Sequence, residues 1–264
     1  MSLADSPQIA VRSLALKHGP QLQVLQGGEG PPLVWLHGPR RPDADDPLLR
    51  ALSARFAVTA PLQPGQDSLS ELDDLLTIHD LALFYDSALE ALGLDRVLLA
   101  GHAFGGMLAA ELAAHAPRRV GRLALFSPLG LWNDAYPVED MFARPYPALE
   151  ALIWSGAVRR PPPVASPEDE VEALVAVANA LGSVAKYAWP IPDRGLRGRL
   201  YRISAPTLLA FAADDALVPA AYAKDFAEGL ADPRTIQLAG SHMAPYEDPT
   251  AVVRMIEAFA REGV

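Results

Sequence analysis

Short apolar runs alternate with stretches in which apolar residues recur every three or four positions, and this alternation breaks once, between residues 129 and 204. Residues 8–16 and 21–26 read as strands separated by a turn at Gly19-Pro20. Leu33-Val34-Trp35-Leu36 is a compact apolar strand, and Ala57-Val58-Thr59-Ala60 is another, stopped by Pro61. Between them, Asp46-Pro47 offers an N-cap and a first-turn proline for a helix through Leu48, Leu49, Leu52 and Phe56. Thr77-Ile78-His79-Asp80 has the form of a capping box, and Ile78, Leu81, Tyr85, Leu89 and Leu92 follow at helical spacing until Gly93. A strand over 94–100, a helix over 104–115 and a strand at Leu123-Ala124-Leu125-Phe126 continue the pattern.

Residues 129–204 hold no strand pattern. They carry amphipathic stretches near 147–158, 168–188 and 194–202, interrupted by Arg159-Arg160-Pro161-Pro162-Pro163. Alternation resumes with Thr207-Leu208-Leu209-Ala210-Phe211, a helix near 219–230, the strand Thr235-Ile236-Gln237-Leu238 and a last helix capped by Asp248-Pro249. Repeated strand–helix units predict an α/β fold: a mainly parallel central sheet with helices on both faces. The core then comprises residues 1–128 and 205–264, with a helical insertion at 129–204.

Composition narrows the function classes. The chain has 264 residues, 50% hydrophobic and 20% charged, with a formal net charge of −10. An acidic chain whose arginine doublets are isolated lacks the basic patch of a nucleic-acid site. Without cysteine it has no disulfide, thiolate metal site or cysteine nucleophile. His18, His79 and His115 show no shared metal-ligand spacing, so no metal is expected. Neither a leader pattern at the N-terminus nor an apolar run near the ~20 residues of a bilayer span is evident. The expectation is a cytosolic protein with no cofactor and no membrane or nucleic-acid partner.

The chemistry lies at three strand ends. Val97 to Gly106 reads as a buried strand, a tight glycine turn and a helix start, Gly101-His102-Ala103-Phe104-Gly105. This is the G-x-S-x-G elbow with alanine in the serine position. Downstream, Asp214-Asp215 ends one strand and Gly240-Ser241-His242 ends the next, with Asp215 and His242 27 positions apart. The carboxyl ends of parallel strands are where such sheets bind ligands. Gly27-Gly28-Glu29-Gly30 lacks the Lys-Ser/Thr of a phosphate loop. Gly101 to Gly106 lacks the acidic partner of a dinucleotide site.

With His37-Gly38, the elbow, the stretch Asp214-Asp215-Ala216-Leu217-Val218-Pro219 and Gly240-Ser241-His242 in this order, the chain resembles the capped branch of the α/β-hydrolase superfamily over about residues 24–261. The resemblance implies that residues 129–204 form a cap or lid. It makes Ala103 the nucleophile position, His242 the general base and Asp215, rather than Asp214, the acid that orients it. The backbone N–H of Phe104 would be one oxyanion donor. The second would come from the residue after His37-Gly38; this is Pro39, which has no N–H, leaving Arg40 as the alternative. His37 and Gly38 would border the substrate. Trp132, just behind the strand end at Ser127, is the aromatic expected to line an apolar pocket.

Three readings fit these residues. In the first, the chain is a Ser-His-Asp type hydrolase for a small-to-medium hydrophobic ester or lactone, inactivated by Ala103. In the second, the Asp215–His242 pair is a native general base without a covalent intermediate, as in lyase- or oxygenase-like members. In the third, the chain holds an apolar ligand without catalysis. Met243 stands where carbon–carbon bond hydrolases of the superfamily often carry tryptophan, so ester or lactone hydrolysis ranks above that chemistry.

Overall fold

Alternate residues of each central strand pack into different cores. Val34, Leu36, Leu99, Leu123, Leu125 and Leu209 face one, while Leu33, Trp35, Leu98, Ala100, Ala124 and Leu208 face the other. A strand apolar at every position is therefore buried on both faces, as a covered parallel sheet requires. The computed structural model of the chain describes residues 7–155 and 167–262, the side chains of 167 and 168 excepted. The Arg159–Pro163 break lies outside the described residues.

The strands are β1 (Ala10–Leu14), β2 (Leu22–Gly27), β3 (Pro32–Leu36), β4 (Ala57–Pro61), β5 (Val97–His102), β6 (Val120–Phe126), β7 (Thr207–Ala212) and β8 (Pro233–Leu238). They form one eight-stranded sheet in the order β1-β2-β4-β3-β5-β6-β7-β8. β1 and β2 pair antiparallel, β2 pairs antiparallel with β4, and all other pairings are parallel. From β3 the chain winds outward through β4; from β5 it winds the other way through β6, β7 and β8. The β3/β5 boundary is thus the topological switch point, and a crevice opens at its carboxyl end.

The helices are α1 (Pro47–Ser53), α2 (Ile78–Ala91), α3 (Phe104–His115), α4 (Tyr146–Ile153), α5 (Pro167–Ala188), α6 (Tyr222–Gly229), α7 (Ala244–Glu247) and α8 (Pro249–Arg261). The expected caps form. Asp46 accepts from the N–H of Leu48 and Leu49, Asp248 from Ala251, and Thr77 and Asp80 close a reciprocal capping box. α1 and α8 cover one face of the sheet; α2, α3 and α6 cover the other. All of α3 is buried except His115, which accounts for its run of alanine, glycine and leucine.

Between β6 and β7 the described residues contain helices and turns and no strand. The stretch near 194–202 departs from the expected amphipathic helix. It forms two 3₁₀ turns, Leu196–Gly198 and Leu200–Arg202, behind Gly195 at φ +80°. A residue in the left-handed region starts a turn rather than a long α-helix. By length and composition alone, the 169–188 window of α5 is long and apolar enough to cross a membrane, which by itself is weak evidence of a span. That helix is bound to the core by Ser183, which accepts from Gln63 at 3.0 Å, and by Tyr187, which donates to the Leu75 carbonyl at 2.7 Å.

Candidate active site

The elbow is dictated by glycines. A Cβ on Gly105 would lie 2.1 Å from the Leu36 carbonyl oxygen, and one on Gly101 would lie 2.3 Å from that of Gly105. α3 can meet β3 and β5 at this distance only without side chains there. The reversal falls on Ala103, at φ +51° and ψ −116°, a conformation that costs on the order of 1–3 kcal/mol for a non-glycine residue. The surrounding bonds hold it: Ala103 N–H donates to the Phe126 carbonyl at 3.0 Å, and its own carbonyl accepts from Met107 and Leu129 at 3.1 Å each. Gly38, at the end of β3, lies beside it.

Asp215 and His242 meet from the ends of β7 and β8. His242 Nδ1 lies 2.8 Å from Asp215 Oδ2, with both side chains almost fully buried. Asp215 Oδ1 accepts from the N–H of Leu217 at 2.9 Å and Val218 at 2.8 Å, so the carboxylate is fixed at both oxygens. Burial alone would raise its pKa. The facing imidazole, with the Val218 N–H and Ser127, outweighs burial and holds the carboxyl below its ordinary value. A buried carboxylate that stays charged favours the Nδ1–H tautomer of His242 and leaves Nε2 as the ring's acceptor nitrogen. Asp214 is exposed.

His102 ties the elbow to the histidine loop. Its Nε2–H donates to the His242 carbonyl at 2.8 Å, and the two rings lie 4.8 Å apart. Burial, then the neighbouring His242, pushes its pKa down to about 3, so it is neutral at physiological pH.

A cavity of about 220 Å³ opens at this point. Gly38, Pro39, His102 and His242 form its floor; Leu149, Ile153 and Trp154 in and after α4, with Val177 and Leu181 of α5, form its apolar wall. Arg40, Arg41 and Glu150 supply its charged rim. Arg40 is already engaged: its guanidinium pairs with buried Asp46 and lies 4.6 Å over the Tyr246 ring. The α4 end is joined to the histidine loop. The Ile153 carbonyl accepts from Met243 N–H at 3.1 Å and Glu247 accepts from Ser155 N–H at 2.6 Å; Ser241 Oγ, with one proton to give, lies between them at 2.6 Å from the Ile153 carbonyl and 2.5 Å from Glu247 Oε1.

Gly38, Pro39, Arg40 and His242 thus line the cavity; Asp215 stands behind His242, and Ala103, fully buried, sits beside Gly38 with the Phe104 amide at the start of α3. The Phe104 ring turns away and stacks on Tyr187 with centroids 6.0 Å apart. Two expected substrate contacts need correction. His37 is spent within its loop: Nδ1–H donates to the Gly38 carbonyl at 2.7 Å, and Nε2 accepts from Gln63 N–H at 3.0 Å. Trp132 is off the cavity, because the chain turns toward α6 behind Leu131. There Asn133 N–H bonds Tyr222 Oη at 3.0 Å, and Trp132 Nε1 donates to Asp134 at 2.8 Å. Another aromatic of the insertion, Trp154, takes the place expected for Trp132, and Leu149 and the α5 residues were missed as wall residues. The amphipathic spacing of α4 and α5 marks a buried face without saying what it faces. His79 and His115 were read as unrelated, yet their rings lie 5.0 Å apart beside Glu111. Glu111 and His115 share a face of α3 while His79 comes from α2, so no single-helix spacing reveals the group.

A mainly parallel sheet with a glycine elbow at its switch point, and an acid–histidine pair after β7 and β8, is the arrangement of the α/β-hydrolase fold. A family profile described as the alpha/beta hydrolase family matches residues 33–255, and the chain belongs to that family. It is 28% identical over 232 residues to a protein of Azorhizobium caulinodans named "Putative carbamate hydrolase RutD", covering 82% of this chain and 85% of the relative. Among solved structures, a bacterial membrane phospholipase A superposes with a TM-score of 0.78 at 23% identity, covering 96% of this chain and 86% of that one. Naproxen esterase from Bacillus subtilis superposes with a TM-score of 0.66 at 18% identity, covering 97% and 92%.

Proposed function

We propose that the crevice binds a small-to-medium hydrophobic ester or lactone, with residues 129–204 acting as a cap over a core of 1–128 and 205–264. The carrying observation is the oriented Asp215–His242 pair opening onto an apolar cavity of about 220 Å³. That volume is below the ~300–1,000 Å³ of drug-sized sites, which favours a short acyl or ring-bearing group. With serine at position 103, His242 Nε2 takes the hydroxyl proton as Oγ bonds to the carbonyl carbon. The oxyanion faces the Phe104 N–H at the start of α3, and His242 returns the proton to the leaving alkoxide. Water then releases the acyl group by the same route.

Ala103 has no oxygen, so this sequence of steps cannot begin. Loss of the nucleophile in a comparable triad costs on the order of 10⁶ in turnover, about 8 kcal/mol of barrier. Pro39 supplies no N–H, and one missing oxyanion donor costs about 10²–10³. Ala103→Ser is therefore expected to raise hydrolysis of nitrophenyl acetate and butyrate by at least about 10³. A nitrophenyl carbamate belongs in the same series, given the name of the RutD relative. An unchanged rate in a folded Ala103→Ser protein refutes acyl transfer at this site.

Pro39 and Ala103 together favour a second reading, in which His242 Nε2 deprotonates water or substrate directly. That reading requires activity in the unsubstituted chain, and His242→Ala must abolish it.

A further inference from the structure

At the far end of α3 from the elbow, about 17 Å along the helix at 1.5 Å per residue, His79, Glu111 and His115 converge. One possible ligand atom from each lies within 4.8 Å of the others. We propose that these three side chains form a binding site for Zn²⁺ or a similar divalent transition metal, independent of the hydrolytic crevice.

Each side chain is prepared for that role. His115 Nδ1–H donates to the Glu111 backbone carbonyl at 2.8 Å. This fixes its tautomer and leaves the Nε2 lone pair available, the usual arrangement of a metal-binding histidine. His79 Nδ1 is buried and has no hydrogen-bond partner, a cost that coordination by this ring, or a tautomer fixed by it, would relieve. The Glu111 carboxylate is fully buried and held by Arg199, with Nη2 at 2.6 Å from Oε1 and Nε at 3.0 Å from Oε2. Each carboxylate oxygen carries two lone pairs, so Arg199 orients the group and still leaves it a donor.

Two imidazoles and one carboxylate suit Zn²⁺, Co²⁺ or Ni²⁺ and not Mg²⁺ or Ca²⁺, which take oxygen ligands. Bonds of about 2.0–2.2 Å place tetrahedral ligand atoms about 3.4 Å apart, so the trio has to close from its present spacing when it binds. Both rings lie at the partly exposed edge of the helix pair, where an ion can reach them. A bound ion would join α2 to α3 and, through Arg199, to the segment that returns to β7. Its role is to stabilise the fold.

The test uses the intact, chelator-treated chain. Zn²⁺ titration by calorimetry is expected to give one site and a raised melting temperature. Co²⁺ is expected to give the visible absorption bands of a low-symmetry, four-coordinate ion. Losing an outer-shell partner costs about 10–100-fold in metal affinity, so His79→Gln and His115→Gln are each expected to cost more, while His242→Gln leaves binding intact. Absence of Zn²⁺ binding and Co²⁺ bands in the unsubstituted chain overturns the proposal. So does binding that survives both His79→Gln and His115→Gln, or that is lost with His242→Gln. None of these readouts depends on hydrolysis.

Discussion

Acidification should weaken this fold through His37, by an amount set by how far burial depresses its pKa. Burial, followed by the positive charges of Arg41 and Arg40, lowers its pKa to about 4, against an offsetting bond to the Gly38 carbonyl. There is a steric counterpart. Nε2 already accepts from the Gln63 N–H, so a proton there would set two donors against each other. The unfolded chain protonates an ordinary histidine near pH 6.5. Between about pH 6.5 and 4 the unfolded state therefore binds more protons than the folded one, and stability falls as pH falls. The full contribution is present above pH 6.5. A gap of about 2.5 units at about 1.4 kcal/mol each makes the loss about 3 kcal/mol below pH 4, and about 2 kcal/mol by pH 5. The assay is urea unfolding of the parent chain and His37→Gln at intervals from pH 7.5 to 4.5. Carboxylates and His102 titrate in both proteins and cancel in the difference. The parent's advantage should shrink by about 2 kcal/mol between pH 7.5 and 5. A difference that stays flat across that range, or grows on acidification, refutes the argument.

In an Ala103→Ser background, Asp215→Asn should lower kcat by about 10⁴, as loss of the orienting acid does in comparable triads; steady-state ester hydrolysis reads this directly. Gly105→Ala puts a Cβ 2.1 Å from the Leu36 carbonyl oxygen. The cost should be at least about 3 kcal/mol in chemical denaturation, because backbone rather than a side-chain tip must move. Thr77→Ala removes one arm of the α2 capping box and should cost about 1 kcal/mol, with little change in any activity.

The parts of this structure legible in the sequence are those whose cause is local. Asp46-Pro47, Thr77-x-x-Asp80 and Asp248-Pro249 cap helices through bonds to residues two or three positions away. The elbow is legible because glycine is required wherever two backbones nearly touch. The acid and histidine are legible because each ends a strand in a parallel sheet. What spacing could not disclose is which surfaces meet. Trp132 stands near a strand end yet turns toward α6, because the bonds of Asn133 to Tyr222 and Asp225 decide its course. The cavity wall comes from α4 and α5, whose apolar stripes suit packing against anything. His37 belongs to the expected His-Gly motif, but its two ring bonds are made within its loop and to residue 63. The His79–Glu111–His115 group needs two helices in register before it exists.

The elbow at Ala103 separates what the fold demands from what chemistry demands. Ala103 keeps a positive φ at a cost, although alanine presents nothing to a substrate. The reason is not at position 103. Gly101, Gly105 and Gly106 let α3 pack against β3, β5 and Pro128 at backbone distance, and a helix starting that close to the strand end forces a sharp reversal at the residue between. The turn is therefore a consequence of helix–sheet packing, with the nucleophile an occupant of a position that packing creates. The acid–histidine pair differs. Asp215 and His242 remove two polar groups from water at strand ends where apolar residues would fill the space at less cost, and breaking a buried pair is expensive only once it exists. Packing explains the elbow and leaves the dyad unexplained. A chain whose only task was to fold would need Gly105 but not His242, and for that reason the proposed function rests on the dyad and not on the elbow.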